Sequence, residues 1–252
     1  MRKFSKGMIN MVFAAFFFSL MAVTVKLLKG KIPSQEIVLA RSVFMFVVGI
    51  YLLKRYHQPL LGRNRKLLFL RGFFGFLGLS AFFYTLTTIP IAESVVIQYT
   101  SPLFTAILAP FILKEYNSRK QWLLYLLAFS GIIFIVKPGF SLTFLPALIG
   151  LAGACSSGIA YNLVRKLART DHPLHIILYL PALSIPLATP ATLLNFVPPT
   201  YFDIVLLILI GLLTFTAQIF LTRSLKLFQR FSGSSFGMKY LICSLFLAHC
   251  WF

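Results

Sequence analysis

The chain has 252 residues, 59% hydrophobic and 12% charged, with 24 Lys and Arg against 5 Asp and Glu. A soluble domain carries roughly 45–50% apolar and about 25% charged residues. This composition, with a mean hydropathy of +0.88, therefore excludes a soluble globular protein and predicts an all-α polytopic membrane protein. The net charge of +19 does not indicate nucleic-acid binding, because the basic residues sit in short clusters between apolar runs.

Nine apolar segments are predicted, at residues 8–28, 37–53, 67–88, 94–113, 121–136, 144–164, 174–196, 202–221 and 236–252. Each is near the roughly 20 residues that a spanning helix needs. Eighteen of the 24 Lys and Arg residues fall in clusters at 2–6, 54–71, 114–120, 165–169 and 223–230, and the alternate connections hold only Lys26, Lys29, Lys31 and Lys137. This is the positive-inside pattern, and it predicts a multi-pass protein of the cytoplasmic (inner) membrane with its N-terminus in the cytoplasm. The basic start mimics a signal peptide, but the apolar run continues to Leu28 without a small-residue cleavage site. It is read as an uncleaved first helix.

The first segment carries Ser19 and, two turns on, Lys26. Lys26 either snorkels to the nearby interface or contacts a solute. The second opens with Glu36 and holds Arg41 five residues deeper, on a different face. A buried guanidinium is costly in hydrocarbon, so Arg41 belongs either to a structural ion pair or to a solute-anion contact. Arg71, near the start of the third segment, is expected as a topology anchor at the cytoplasmic edge.

On the third segment Ser80, Tyr84 and Thr87 recur at helical spacing. On the fourth, Ser94, Gln98, Ser101 and Thr105 do the same. Such stripes avoid lipid and predict a wet face, with Gly72, Gly75 and Gly78 forming a packing seam on the other side. Pro102 has no N–H for the carbonyl of Gln98, and Pro110 none for Ala106. Glu93, near the start of the fourth segment, is favoured there by the helix dipole and is a gate or coupling candidate. Glu115 is expected to pair within the basic connection that follows it.

In the sixth segment Gly150, Gly153, Ser157 and Gly158 predict close helix approach, with Ser157 and Tyr161 on one face. The seventh holds Pro181, Pro186 and Pro190 and is expected to be bent or broken. The eighth carries Thr214, Gln218 and Thr222, where Gln218 is a pathway candidate or a packing hydrogen bond. Cys155, Cys243 and Cys250 have neither disulfide nor zinc spacing, and the histidines are scattered. Neither a metal nor a cofactor is expected.

A shift of 137 positions brings Ala15 onto Ala152, Ser19 onto Ser156, Phe83 onto Phe220 and Thr85 onto Thr222. An odd number of helices repeated in tandem gives an inverted repeat. The stretches FFFSLMAVTVKLL (16–28), EIVLARS (36–42), RGFFGFLGLSAFFYTLTTIPIAES (71–94), QYTSPLFTAILAPFILKE (98–115), GIIFIVKPG (131–139) and QIFLTRSLKL (218–227) carry a resemblance to the EamA-type family of the drug/metabolite transporter superfamily. The resemblance implies ten helices in two inverted five-helix repeats around a central cavity bordered by the hairpin of helices 3 and 4. It divides the chain into a first repeat, 1–140, and an incomplete second, 141–252, with helices 6–8 and an aberrant ninth. After Leu227 the chain leaves the family pattern, and a frameshift or truncation near Phe228 is expected.

The function expected is secondary transport of a small polar metabolite or a drug by alternating access. By resemblance the metabolite is an amino acid, a nucleotide-like solute or one of the S-adenosylmethionine class. The alternative is a truncated, inactive remnant or a structural membrane protein. No enzyme motif is present: phosphate loop, serine elbow and paired intramembrane carboxylates are all missing. The substrate-pathway residues expected are Ser19, Arg41, Ser80, Tyr84, Gln98, Ser101, Pro102, Thr105, Tyr161 and Gln218. The partners expected are a small-molecule solute, the lipid bilayer and a second copy of the chain as a homodimer, with no nucleic acid.

Overall fold

The computed structural model describes residues 2–59, 61–114, 119, 122–123, 126–127, 130 and 144–231. Eight helices are defined. They are α1 (Arg2–Leu27), α2 (Ser34–Arg55), α3 (Arg65–Thr88), α4 (Ile91–Gln98), α5 (Ser101–Leu113), α6 (Phe144–Leu167), α7 (Pro173–Leu194) and α8 (Tyr201–Phe231). With α4 and α5 taken as one run, 7 stretches among the described residues are long and apolar enough to cross a membrane. They correspond to seven of the nine predicted segments. The segment at 121–136 lies mostly outside the described residues. The one at 236–252, Glu115, Cys243 and Cys250 lie wholly outside them, as does the stretch after Phe231 on which the frameshift reading rests.

The helices are apolar on most of their circumference, as lipid requires. On α8, Tyr201, Val205, Ile208 and Leu212 face outward, while Leu206, Ile210 and Leu213 are buried. The buried residues form two main clusters, at opposite ends of the bundle. The distal one, at the end where α1 finishes, includes Val25, Leu28, Ile37, Phe83, Leu86 and Ile210. The proximal one, where α1 starts, includes Met11, Ala14, Leu68, Val164, Leu167 and Leu221.

Two expectations about helix breaks exchange places. The fourth predicted segment is interrupted at Tyr99–Thr100, so α4 and α5 are separate helices. The cause is Pro102 in the first turn of α5, which removes the N–H that the carbonyl of Gln98 would accept. By contrast, α7 holds Pro181, Pro186 and Pro190 and is nonetheless one helix of 22 residues. Packing against α2 and α3 on its long flank holds it together despite three missing ladder donors.

The most extensive contacts run between α1 and α8 and between α3 and α6. The pairs α2–α7, α3–α7 and α2–α8 follow among those helices. Exchanging α1, α2 and α3 with α6, α7 and α8 maps each of these five contacts onto another of the set or onto itself.

Polar ties close both ends. At the distal end Lys26 Nζ donates to the carbonyls of Leu86 at 3.0 Å and Ile89 at 2.6 Å. These are orphan acceptors at the end of α3. There too, Glu36 accepts from the backbone N–H of Val197 at 3.2 Å. At the proximal end Asp171 accepts from the N–H of Arg63 at 2.6 Å and of Asn64 at 3.4 Å. His175 Nε2 donates to the carbonyl of Pro59 at 2.6 Å.

Candidate solute site

Between the two apolar clusters lies a cavity of about 210 Å³. It is walled by α1, α3, α4, α6 and α8, with Arg41 entering from α2 and Leu180 from α7. Most of its wall is apolar, including Met11, Phe18, Phe82 and Leu180, and the polar groups are few: Ser19, Arg41, Arg71, Gln98, Tyr99, Ser157, Tyr161, Thr214 and Gln218. An apolar pocket with a small set of converging polar groups is the usual form of a small-molecule site.

Five of the expected pathway residues line this cavity: Ser19, Arg41, Gln98, Tyr161 and Gln218. The other five are not among its lining residues. Ser80 is half-buried, with its hydroxyl 3.4 Å from Gln35 Oε1. Tyr84 is half-buried, and its carbonyl accepts from the hydroxyls of Thr87 and Thr88. Ser101 and Thr105 are buried; the Thr105 hydroxyl donates to the Ser101 carbonyl at 2.8 Å, and the Thr105 carbonyl accepts from Asn162 Nδ2 at 2.9 Å. Pro102 is half-buried in the first turn of α5. Glu93 is buried in the first turn of α4, also away from the cavity wall. The single stripe expected from Ser94 to Thr105 is therefore split. Gln98 faces the cavity, whereas Ser94 bonds Thr85 on α3 at 2.7 Å and Thr105 meets α6.

On α3 the expected wet and packing faces are not separate. The cavity wall of α3 is Arg71, Gly75, Gly78, Leu79 and Phe82. Packing also uses these glycines. A Cβ at Gly78 would lie 3.0 Å from the carbonyl oxygen of Gly153 on α6, and one at Gly72 would lie 2.5 Å from that of Tyr179 on α7. A Cβ at Gly75 would collide with Nη1 of Arg71. Absence of a side chain at position 75 thus makes room for a guanidinium one turn below it.

Arg71 is the residue the sequence reading misplaced. The helix begins at Arg65, so Arg71 sits about 9 Å along its axis at 1.5 Å per residue, and it is 4% exposed. It is a cavity residue rather than an edge anchor. The available signal was its spacing to Gly75 and Gly78, which places a cation on a face of small residues. Arg41 is 1% exposed and lies over the Phe83 ring at 5.8 Å. In both arginines Nε and Nη1 are buried without a hydrogen-bond partner among the described residues.

The glycines of α6 lie where close approach was expected. A Cβ at Gly150 would be 2.8 Å from Ile97 Cγ2, and one at Gly158 would be 2.9 Å from the backbone nitrogen of Thr105. This wall brings Ser157 and Tyr161 to the cavity.

Comparison with known proteins agrees with this architecture. Residues 5–137 match the EamA-like transporter family. A pseudopaline exporter, CntI, of Pseudomonas aeruginosa is 33% identical over 221 residues, which are 86% of this chain and 78% of the exporter. An S-adenosylmethionine uptake transporter of Rickettsia prowazekii is 27% identical over 188 residues, 74% of this chain and 64% of that protein. A protein of known crystal structure shares the fold, with a TM-score of 0.62 at 16% identity over 98% of this chain and 96% of that one. By sequence, spans and fold, the chain is a multi-pass membrane protein of the EamA-like transporter family, in the drug/metabolite transporter superfamily.

Proposed function

We propose that the chain is a secondary transporter that moves a small polar metabolite or a drug across the cytoplasmic membrane by alternating access, with its N-terminus in the cytoplasm. The observation that carries this reading is the cavity at mid-length of the bundle, set between two buried apolar clusters and walled by helices from both parts of the chain. Residues 1–140 and 141–252 are the two inverted repeats, a division supported by the interchange of helix contacts between α1–α3 and α6–α8. Rocking of one repeat against the other would open the distal cluster while the proximal one holds, and then the reverse. Gln98 and Gln218, one from each repeat, supply neutral hydrogen bonds to the solute, and Glu93 is the coupling candidate.

The test is uptake into proteoliposomes loaded for counterflow with amino acids, nucleotides or S-adenosylmethionine. Gln98→Leu and Gln218→Leu should each lower uptake at least about tenfold, the loss of a hydrogen bond to a polar solute worth about 1.4 kcal/mol. Yield and gel-filtration profile should not change. Undiminished uptake would make the two glutamines packing residues, and absence of any counterflow by the wild type would remove the transport reading itself.

A further inference from the structure

We infer that Arg41 and Arg71 together form an oxyanion-binding site at the cavity, and that the transported solute presents a carboxylate or phosphate group to it. This rests on reading the cavity as the solute site. The chain has only 5 acidic residues for 24 basic ones, so few internal counter-ions exist. A guanidinium held away from water and lipid headgroups is costly unless paired. Here two of them come from neighbouring helices to one cavity, 1% and 4% exposed, each with Nε and Nη1 unpartnered among the described residues. Four N–H-bearing atoms without acceptors, beside empty space, fit an anion that arrives and leaves. They do not fit a permanent ion pair.

The local structure favours the same reading. Gly75 opens the groove in which the Arg71 guanidinium lies, and Phe83 flanks Arg41. These contacts leave Nε and Nη1 of both side chains for a ligand. Planar guanidinium forks match carboxylate and phosphate oxygens in a way that an ammonium cannot. Gln98, Gln218, Tyr161 and Thr214 supply neutral groups for the remainder of the solute.

The experiment measures thermal unfolding of the detergent-purified full chain, alone and with succinate, glutamate or inorganic phosphate, against sodium chloride at equal ionic strength. Without ligand, Arg41→Gln and Arg71→Gln should each raise the unfolding midpoint, by about 2–4 °C, because each removes an unpaired buried charge. At least one oxyanion should stabilise the wild type beyond the salt control, and both Gln variants should lose that shift. Arg41→Lys and Arg71→Lys keep the charge but not the fork and should retain a smaller shift. Whether succinate and glutamate or phosphate gives the larger shift identifies the oxyanion. Gln variants that melt lower than wild type or fail to fold would assign the arginines a structural role and overturn the proposal. A wild type that no oxyanion stabilises, or a shift that survives both Gln variants, would overturn it as well. Because binding is read in detergent, oxyanion binding by a chain that shows no counterflow of any solute would leave this site standing while removing the transport reading and, with it, the statement about the transported solute.

Discussion

The contacts α1–α8 and α3–α6 occupy equivalent places in the architecture and are of similar extent, yet they are built from opposite materials. Along α1–α8 the helices meet through large side chains. Phe220 stacks on Phe13 at 5.5 Å and on Phe17 at 6.0 Å, and Met11, Ala14 and Leu221 fill the space below. Along α3–α6 the contact is nearly backbone on backbone. Gly78 faces the Gly153 carbonyl, Gly153 faces Ala81, and Gly150 sits 3.0 Å from Thr85 Cγ2 by the measure of an added Cβ. A seam this close leaves little slack, because the side chains in it are short and sit against backbone. A phenylalanine seam can repack by rotation of its rings. One architecture thus holds a stiff joint and a compliant one, and in a rocking mechanism the compliant joint is where relative movement of the two halves costs least.

This contrast is open to direct attack. The largest effect is expected from Gly78→Leu, which drives a branched side chain into the α6 backbone. Folded protein should be lost, read as a collapse of the monodisperse gel-filtration peak. Next comes Phe220→Ala, which removes two ring pairs worth about 0.5–1.5 kcal/mol each. That protein should still fold, with a lowered unfolding midpoint. If Gly78→Leu is tolerated as well as Phe220→Ala, the two seams do not differ in stiffness. The smallest effect should come from Ser224→Ala, also at α1–α8. It deletes only the hydroxyl bond to the Gly7 carbonyl at 2.8 Å and should cost about 1 kcal/mol.

The spans were legible because hydropathy over about 20 residues is set by the bilayer and hardly depends on tertiary detail. The glycine seams of α6 were legible for a similar reason: small residues at helical spacing have few uses in a membrane other than close approach. What a helix face meets was harder to read. Ser80 and Tyr84 look like cavity residues by spacing, yet the cavity wall of α3 is the face of Arg71, Gly75 and Gly78. Hydroxyls can be satisfied within their own helix or by a neighbour, as in Ser80 with Gln35, so a polar stripe does not by itself locate water. The repeat alignment shows the same limit. Ser19 faces the cavity while its counterpart Ser156 donates to its own helix at the Ala152 carbonyl. Phe83 flanks Arg41 while its counterpart Phe220 stacks on α1. Identity at aligned positions carries over the helix but not the neighbour.

The ties made by Glu36 and Asp171 have a consequence for how this chain can vary. In each, a carboxylate holds main-chain N–H groups in the stretch that leads into a helix: Val197 for Glu36, Arg63 and Asn64 for Asp171. Any residue with an amide hydrogen can serve as donor, so these ties leave positions 63 and 197 free to drift in identity, while Asn64 also donates through Nδ2 to the Thr170 hydroxyl at 2.8 Å. The two ties should leave no correlated substitutions among related sequences. Their only mark at the donor positions is the exclusion of proline.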